Sequence, residues 1–125
     1  MRFVTDITLD QLEIYGDPLL ENVFFTLAEN VILHGKKATE IRLWYYHSSH
    51  EIVIVFEDNG CGIPDDMKEK IFERQYEEKK GIGLFLSREI LSITNISIRE
   101  TGKKDIGARF ELTVPKGMYR FSEGT

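Results

Sequence analysis

An apolar run, Ile52 to Phe56, ends in Glu57-Asp58-Asn59-Gly60-Cys61-Gly62-Ile63-Pro64, and no other stretch restricts what this chain can fold into so strongly. A short, largely β-branched run bounded by turn residues reads as a buried strand. That strand delivers one carboxylate, Asp58, into a glycine turn. Gly60 and Gly62 tolerate positive φ and let a flat group approach the backbone closely. Pro64 fixes the end of the turn and keeps Ile63 extended. On its own the stretch reads equally well as a tight strand-to-helix connection or as the seat of a small ligand.

At 125 residues one domain is expected, large enough to bury a core without disulfides or a metal. The formal net charge is −5 and the basic residues are scattered among acids. A nucleic-acid binder clusters its basic residues on one face, so that partner class is set aside. Cys61 is the single cysteine, which points to a reducing, cytoplasmic compartment. The apolar runs are strand-sized, so neither a signal peptide nor direct membrane contact is expected. A strand-like segment, Arg2 to Leu9, opens the chain with no lead-in, which suggests a domain cut from a longer protein or one that works with a partner.

A helix is expected next. Asp17 suits an N-cap, Pro18 the first helical position, and Gly35 the C-terminal stop. Leu20, Val23, Phe24, Leu27 and Val31 recur at helical spacing and give one apolar face. Glu29 and Asn30 are the polar anomalies, and Asn30 borders the buried stripe. Thr39 to His47 then alternates, with Ile41, Leu43 and Tyr45 on one face and Arg42, Trp44 and Tyr46 on the other. Ser48-Ser49 reads as a turn and Glu51 to Glu57 as the return strand of a hairpin. Trp44 and Tyr46 are either a docking patch or a half-covered sheet surface.

Beyond the glycine turn, Pro64 to Tyr76 reads as a short helix anchored by Ile71 and Phe72. Glu73 to Lys80 is a charged connector, and Gly81-Ile82-Gly83 opens a helix whose buried side carries Leu84, Leu86, Ile90, Leu91 and Ile93. Glycines at a helix start are a candidate phosphate nest, since free amides and the helix dipole both favour an anion there. Ile96 to Thr101 and Gly107 to Val114 read as the last strands, and the polar tail after Gly117 as loosely held. The domain is thus bounded at residues 1–116, with 117–125 as tail. His34, His47 and His50 lack metal-site spacing, and no serine has the pattern of a hydrolytic triad.

In chain order the sequence shows Ala28-Glu29-Asn30, Asp58-Asn59-Gly60-Cys61-Gly62, Ile71-Phe72-Glu73-Arg74, Gly81-Ile82-Gly83-Leu84 and Gly107-Ala108-Arg109-Phe110. That order resembles the catalytic, ATP-binding domain of sensor histidine kinases. These belong to the Bergerat-fold superfamily shared with gyrase, heat-shock chaperone ATPases and mismatch-repair ATPases. The segments correspond to its N box, first glycine box, F box, second glycine box and final glycine strand, and the likeness runs from Gly16 to Pro115.

The resemblance implies a two-layer α/β (α+β) sandwich: a mixed β-sheet with helices packed on one face, and Mg-ATP held between the helix layer and a lid. It also implies roles. Asp58 would accept from the exocyclic amine of adenine, with Gly60, Gly62 and Ile63 against the ring. Asn30 would supply an oxygen to magnesium, with Glu29 beside it as a second catalytic candidate. Lys79, Lys80, Gly81, Ile82, Gly83 and Leu84 would line the phosphates. Phosphoryl transfer needs mainly positioning and charge neutralisation, so few catalytic side chains are required. The acceptor histidine would lie on an upstream dimerisation segment or a separate partner, with a response regulator further along the relay.

Thr26 stands where water-splitting members and anti-sigma-factor serine kinases resemble one another in carrying a glutamate base. A threonine cannot activate water near neutral pH, which favours the histidine-kinase branch. The chain also departs from that branch. Its members usually carry Asn at the place of Thr26 and often a basic residue at that of Leu33, and the lid from Arg74 to Gly81 is short and holds Glu77 and Glu78. These departures leave a degenerate signalling scaffold, nucleotide-binding or not, as the alternative reading, with an anti-sigma-factor-type serine kinase behind it.

Overall fold

The computed structural model describes residues 2–5, 12–16, 20–34, 38–73 and 83–121. Its main sheet has five strands in the order β1-β3-β4-β6-β5: β1 (Arg2–Thr5), β3 (Glu40–Ser48), β4 (Glu51–Asp58), β5 (Ser97–Glu100) and β6 (Arg109–Pro115). β1 runs parallel to β3, and the remaining pairs are antiparallel, so the sheet is mixed. A second, two-stranded sheet pairs β2 (Leu12–Ile14) with β7 (Tyr119–Phe121). Helices α1 (Leu20–His34) and α2 (Gly83–Ser92) contact each other. They share one core with the sheet.

β4 is the central strand, and its whole run from Ile52 to Phe56 is buried. Side chains alternate across a strand, so Ile52, Ile54 and Phe56 join Phe110, Leu112 and Val114 of β6 in the helix-facing core. Val23, Leu27 and Val31 of α1 meet them with the helical spacing expected from sequence. Val53 and Val55 point the other way, yet Val55 is fully buried. That outer face is covered by its own side chains. The Trp44 and Tyr46 rings lie 5.7 Å apart, Trp44 Nε1 donates to Glu57 at 2.9 Å, and the Arg109 guanidinium sits 5.2 Å from the Trp44 ring centre. The aromatic pair is therefore a half-covered sheet surface.

Several expectations are corrected. The β3–β4 turn is Ser49-His50, one residue later than expected, because Ser48 pairs with Glu51. The single helix expected from Pro64 becomes two 3₁₀ turns, Asp65–Met67 and Lys70–Phe72, and Glu73 is extended. With acids at 65, 66, 69 and 73 and only Ile71 and Phe72 buried, this segment has no continuous apolar face to support an α-helix. Leu86 and Ile93 are 42% and 63% exposed, against the expected burial. Leu86 is two residues from Leu84, and so on the opposite side of the helix. Ser87 takes the buried place instead, its hydroxyl donating to Gly83 O at 2.8 Å. The tail after Gly117 contributes β7, which pairs in full with Leu12–Ile14. The helix caps expected at Asp17, Pro18 and Gly35, and the strand residues expected beyond Thr5, lie outside the described residues.

Candidate functional site

β4 ends at Asp58, and the chain must then leave the sheet. Asp58 Oδ1 accepts from the Gly60 N–H at 2.7 Å, a side-chain-closed turn of the kind short acids favour. The same oxygen accepts from the Ala108 N–H at 3.3 Å, across the gap to the residue preceding β6. The carboxylate is therefore held by two backbone donors. Its proton affinity is nevertheless raised above the ordinary carboxylate value. Half-burial is the largest cause. The two backbone hydrogen bonds work against it, and the charges of Glu100 and Glu57 add to it.

Asn59 points away from this group. Its Oδ1 accepts from the Thr39 and Glu40 N–H groups at 2.9 and 3.1 Å, and its Nδ2 donates to Thr39 Oγ1 at 3.0 Å. It pins the turn to the start of β3. Gly62 has φ +74°, and a Cβ there would lie 2.3 Å from Lys103 O. The glycine is needed because the β5–β6 turn presses on the chain at this point, where the Asp105 N–H also donates to Cys61 O.

A pocket of about 170 Å³ opens beside Asp58. Among its walls stand five residues singled out from sequence: Asn30, Asp58, Gly62, Ile63 and Leu84. These come from α1, the end of β4, the turn after it and the first turn of α2. Asn30 Nδ2 donates to Thr26 O at 3.0 Å, so the amide leaves its oxygen as the other terminus, suited to a hard cation or a donor. Thr26 donates its own hydroxyl to Asn22 O at 2.9 Å, consistent with a residue that does no base chemistry.

Not every candidate converges. Glu29 is exposed and outside the pocket walls, because it is the neighbour of Asn30 on the helix and turns away by about 100°. Gly60 is buried behind Asp58 and acts through its N–H. Gly83, with φ +73°, starts α2 next to Leu84 but is not itself a wall residue. Lys79, Lys80, Gly81 and Ile82 lie outside the described residues, as does the lid from Arg74.

The rest of the wall was missed from sequence: Val31, Pro64, Met67, Ile71, Ala108 and Phe110. A signal existed for most of them. Ile63, Met67 and Ile71 recur every four residues, and Ala108 and Phe110 sit two apart on one strand face. The pocket thus has two polar side chains, Asn30 and Asp58, set in a largely apolar wall, the usual build of a small-molecule site. A larger surface recess between β2 and β7 carries none of the motif residues, and its Glu13 and Arg120 pair with each other at 2.5 Å. Among the described residues no group of His, Cys, Asp and Glu could by itself hold a metal. None of their helices is long and apolar enough to cross a membrane.

Comparison with known proteins bears on the family and the fold. The adaptive-response sensory kinase SasA of Prochlorococcus marinus is 31% identical over 121 residues, covering 89% of this chain and 33% of the relative. The alginate biosynthesis sensor protein KinB of Pseudomonas aeruginosa is 33% identical over 114 residues, covering 87% of this chain and 18% of the relative. The chain therefore spans a third or less of the length of these relatives. Among solved structures, the catalytic domain of the histidine kinase ThkA is similar with a TM-score of 0.71 at 24% identity, covering 92% of this chain and 77% of that one. The ATP-binding domain of PrrB from Mycobacterium tuberculosis has a TM-score of 0.71 at 24% identity, covering 93% and 80%. The two structures share the fold of this chain, a mixed sheet with helices on one face. The family model of the histidine kinase-, DNA gyrase B- and HSP90-like ATPases matches residues 16–118, and the chain belongs to that family.

Proposed function

We propose that this chain is the ATP-binding catalytic domain of a sensor histidine kinase, which binds Mg-ATP and passes the γ-phosphoryl group to a histidine outside it. The observation that carries the reading is the convergence of Asp58 and Asn30, from separate elements, on one apolar-walled pocket. Asp58 accepts a hydrogen bond from the exocyclic amine of adenine, while Ile63, Met67 and Leu84 cover the ring. At about 170 Å³ the pocket suits the base alone, since whole-ligand pockets run to about 300–1,000 Å³. The phosphates lie toward Gly83 at the start of α2, where the helix dipole favours an anion.

A magnesium ion bound with the nucleotide would supply charge neutralisation to the phosphates, and Asn30 is the residue that would hold it. A hard cation prefers oxygen ligands, and the Asn30 amide oxygen, left over by the Nδ2 bond to Thr26 O, would be the protein's contribution beside those of the nucleotide. Lys79, Lys80, Gly81 and Ile82, outside the described residues, would add positive charge and backbone donors for the phosphates. The acceptor histidine belongs to a dimerisation segment or another protein, and a response regulator is the next partner in the relay. One neighbour, the histidine kinase ThkA, was solved in complex with the response regulator protein TrrA, which supports that partner class. A cytoplasmic setting follows from the same reading.

Calorimetric titration of ATP with and without magnesium tests the proposal. Binding that strengthens with magnesium supports it. Absence of ATP binding under both conditions would favour the signalling scaffold, the reading that Thr26, standing where the branch usually carries Asn, supports.

A further inference from the structure

One ammonium group ties together three chain segments beside the pocket. Lys68 Nζ donates to Ile63 O at 3.2 Å, to Gly102 O at 2.9 Å and to Oε1 of Glu100. The Glu100 side chain is fully buried. Its other oxygen accepts from the Gly102 N–H at 3.0 Å and the Arg109 N–H at 2.9 Å. A buried carboxylate is costly unless paired and hydrogen-bonded, and here both conditions are met. The fit around it is close: a Cβ on Gly102 would lie 2.8 Å from Glu100 Oε2 and 2.2 Å from Gly107 O.

Two lines lead from this cluster to the pocket. Lys68 holds the carbonyl of Ile63, and Glu100 holds the N–H of Arg109, next to Ala108. Ile63 and Ala108 both line the pocket, and the Ala108 N–H reaches Asp58. The second line is electrostatic. The carboxylates acting on Asp58 are Glu100 on β5 and Glu57 on its own strand. Each has a cation beside it: Lys68 for Glu100, and Arg109, at 3.7 Å, for Glu57.

We propose that Lys68 is a positioning residue for base recognition, setting the spacing between the Ile63 turn and the Ala108 wall by neutralising the buried Glu100 carboxylate that holds the Arg109 N–H. This rests on the reading of Asp58 as the base-recognising acid. A lysine that merely stabilised the fold would change the melting temperature without a specific effect on adenosine affinity or on the Asp58 carboxyl.

The test uses the whole chain with Lys68→Met, Lys68→Arg and Glu100→Gln, each checked for folding by circular dichroism. Adenosine affinity is measured by calorimetry, and the Asp58 side-chain carboxyl is titrated by ¹³C NMR in ligand-free protein. Folded Lys68→Met is expected to bind adenosine about tenfold more weakly, the scale of one hydrogen bond to a charged group. Lys68→Arg, which still donates to the same oxygens, recovers most of that loss. In Glu100→Gln, Asp58 takes up its proton at a lower pH than in the parent. A folded Lys68→Met with parental affinity overturns the proposal, as does an Asp58 midpoint that stays put or rises in Glu100→Gln. Should Lys68→Met not fold, adenosine affinity in folded Glu100→Gln, where Lys68 has lost its anionic partner, decides: parental affinity overturns the proposal. If the parent itself binds no adenosine, the base-site reading fails, and the carboxyl titration still decides whether Glu100 and Asp58 are coupled.

Discussion

Asp58 and Ala108 bond to each other in both directions: the Asp58 N–H donates to Ala108 O at 3.0 Å, and the Ala108 N–H donates to Asp58 Oδ1 at 3.3 Å. The acid is thereby fixed against the lead-in to β6 before any ligand arrives. A carboxylate held by main chain on one oxygen keeps its second oxygen for a ligand, and it loses little freedom on binding. Asp58→Asn keeps the Oδ1 acceptor but replaces the other oxygen by a donor, which faces the adenine amine donor to donor. Affinity for adenosine and ATP should fall about ten- to a hundredfold, the cost of about 1.5–3 kcal/mol for a lost charge-assisted hydrogen bond. GTP should bind the parent poorly. Equal affinity of the parent for ATP and GTP, read by calorimetry, would remove Asp58 from base recognition.

The same substitution has a second outcome, in stability. Burial raises the Asp58 proton affinity in the folded state above the ordinary carboxylate value of 3.8. Between that value and the raised one, the folded state binds more protons than the unfolded state, so stability falls as pH rises. Above the raised value the penalty is complete, and below the ordinary value it is absent. Asp58→Asn carries no such penalty. At neutral pH it should melt at or above the temperature of the parent, with the gap closing as the solution is acidified below the ordinary carboxylate range. Nucleotide affinity should run the opposite way in the parent and fall as Asp58 takes up its proton. Thermal melts across pH check the first; a lower melting point for Asp58→Asn at neutral pH would contradict it.

Asn30 is predicted to act on the metal-linked part of the nucleotide. Its Nδ2 bond to Thr26 O is internal to α1, and the residue lines the pocket from that helix. Asn30→Ala should abolish most of the magnesium enhancement of ATP binding while leaving adenosine affinity nearly unchanged. Isothermal titrations of both ligands, with and without magnesium, separate the two effects. Equal losses for ATP and adenosine would make Asn30 a structural residue of the helix.

The sequence carried the site's polar groups further than its walls. Asp58 and Asn30 stand out because a polar residue at the edge of an apolar element is locally anomalous, and the glycines beside them signal close backbone approach. Met67, Ala108 and Phe110 carry no such anomaly: their spacing marks shared faces, and the tertiary fold is what brings those faces to one cavity. Two adjacent apolar anchors, Ile71 and Phe72, in a segment free of internal Gly and Pro suggest one helix after Pro64, yet without a continuous apolar face the segment forms two 3₁₀ turns. β7 was read as tail because its partner, Leu12–Ile14, lies more than a hundred residues earlier, and pairing at that distance leaves no local trace. The Lys68–Glu100 pair was missed for the same reason.

Gly62 is predicted to be the most demanding position in the turn after β4, and Gly117 provides its control. Both have positive φ, +74° and +96°, which L side chains rarely adopt. An alanine at either place takes on the backbone cost of the left-handed region, about 1–2 kcal/mol. The surroundings differ. A Cβ at Gly62 would sit 2.3 Å from Lys103 O and 2.9 Å from Lys104 Cα, whereas nothing lies within 4 Å at Gly117. The contacted atoms are backbone, held by the Asp105–Cys61 and Ile106–Lys103 hydrogen bonds, and cannot swing aside as a side chain would. Gly62→Ala should therefore cost clearly more than Gly117→Ala in urea unfolding, and it should also weaken adenosine binding, because Gly62 is a pocket wall and Gly117 is not. Equal unfolding midpoints for the two variants would mean that the β5–β6 turn can yield. The glycine would then answer to ligand approach alone.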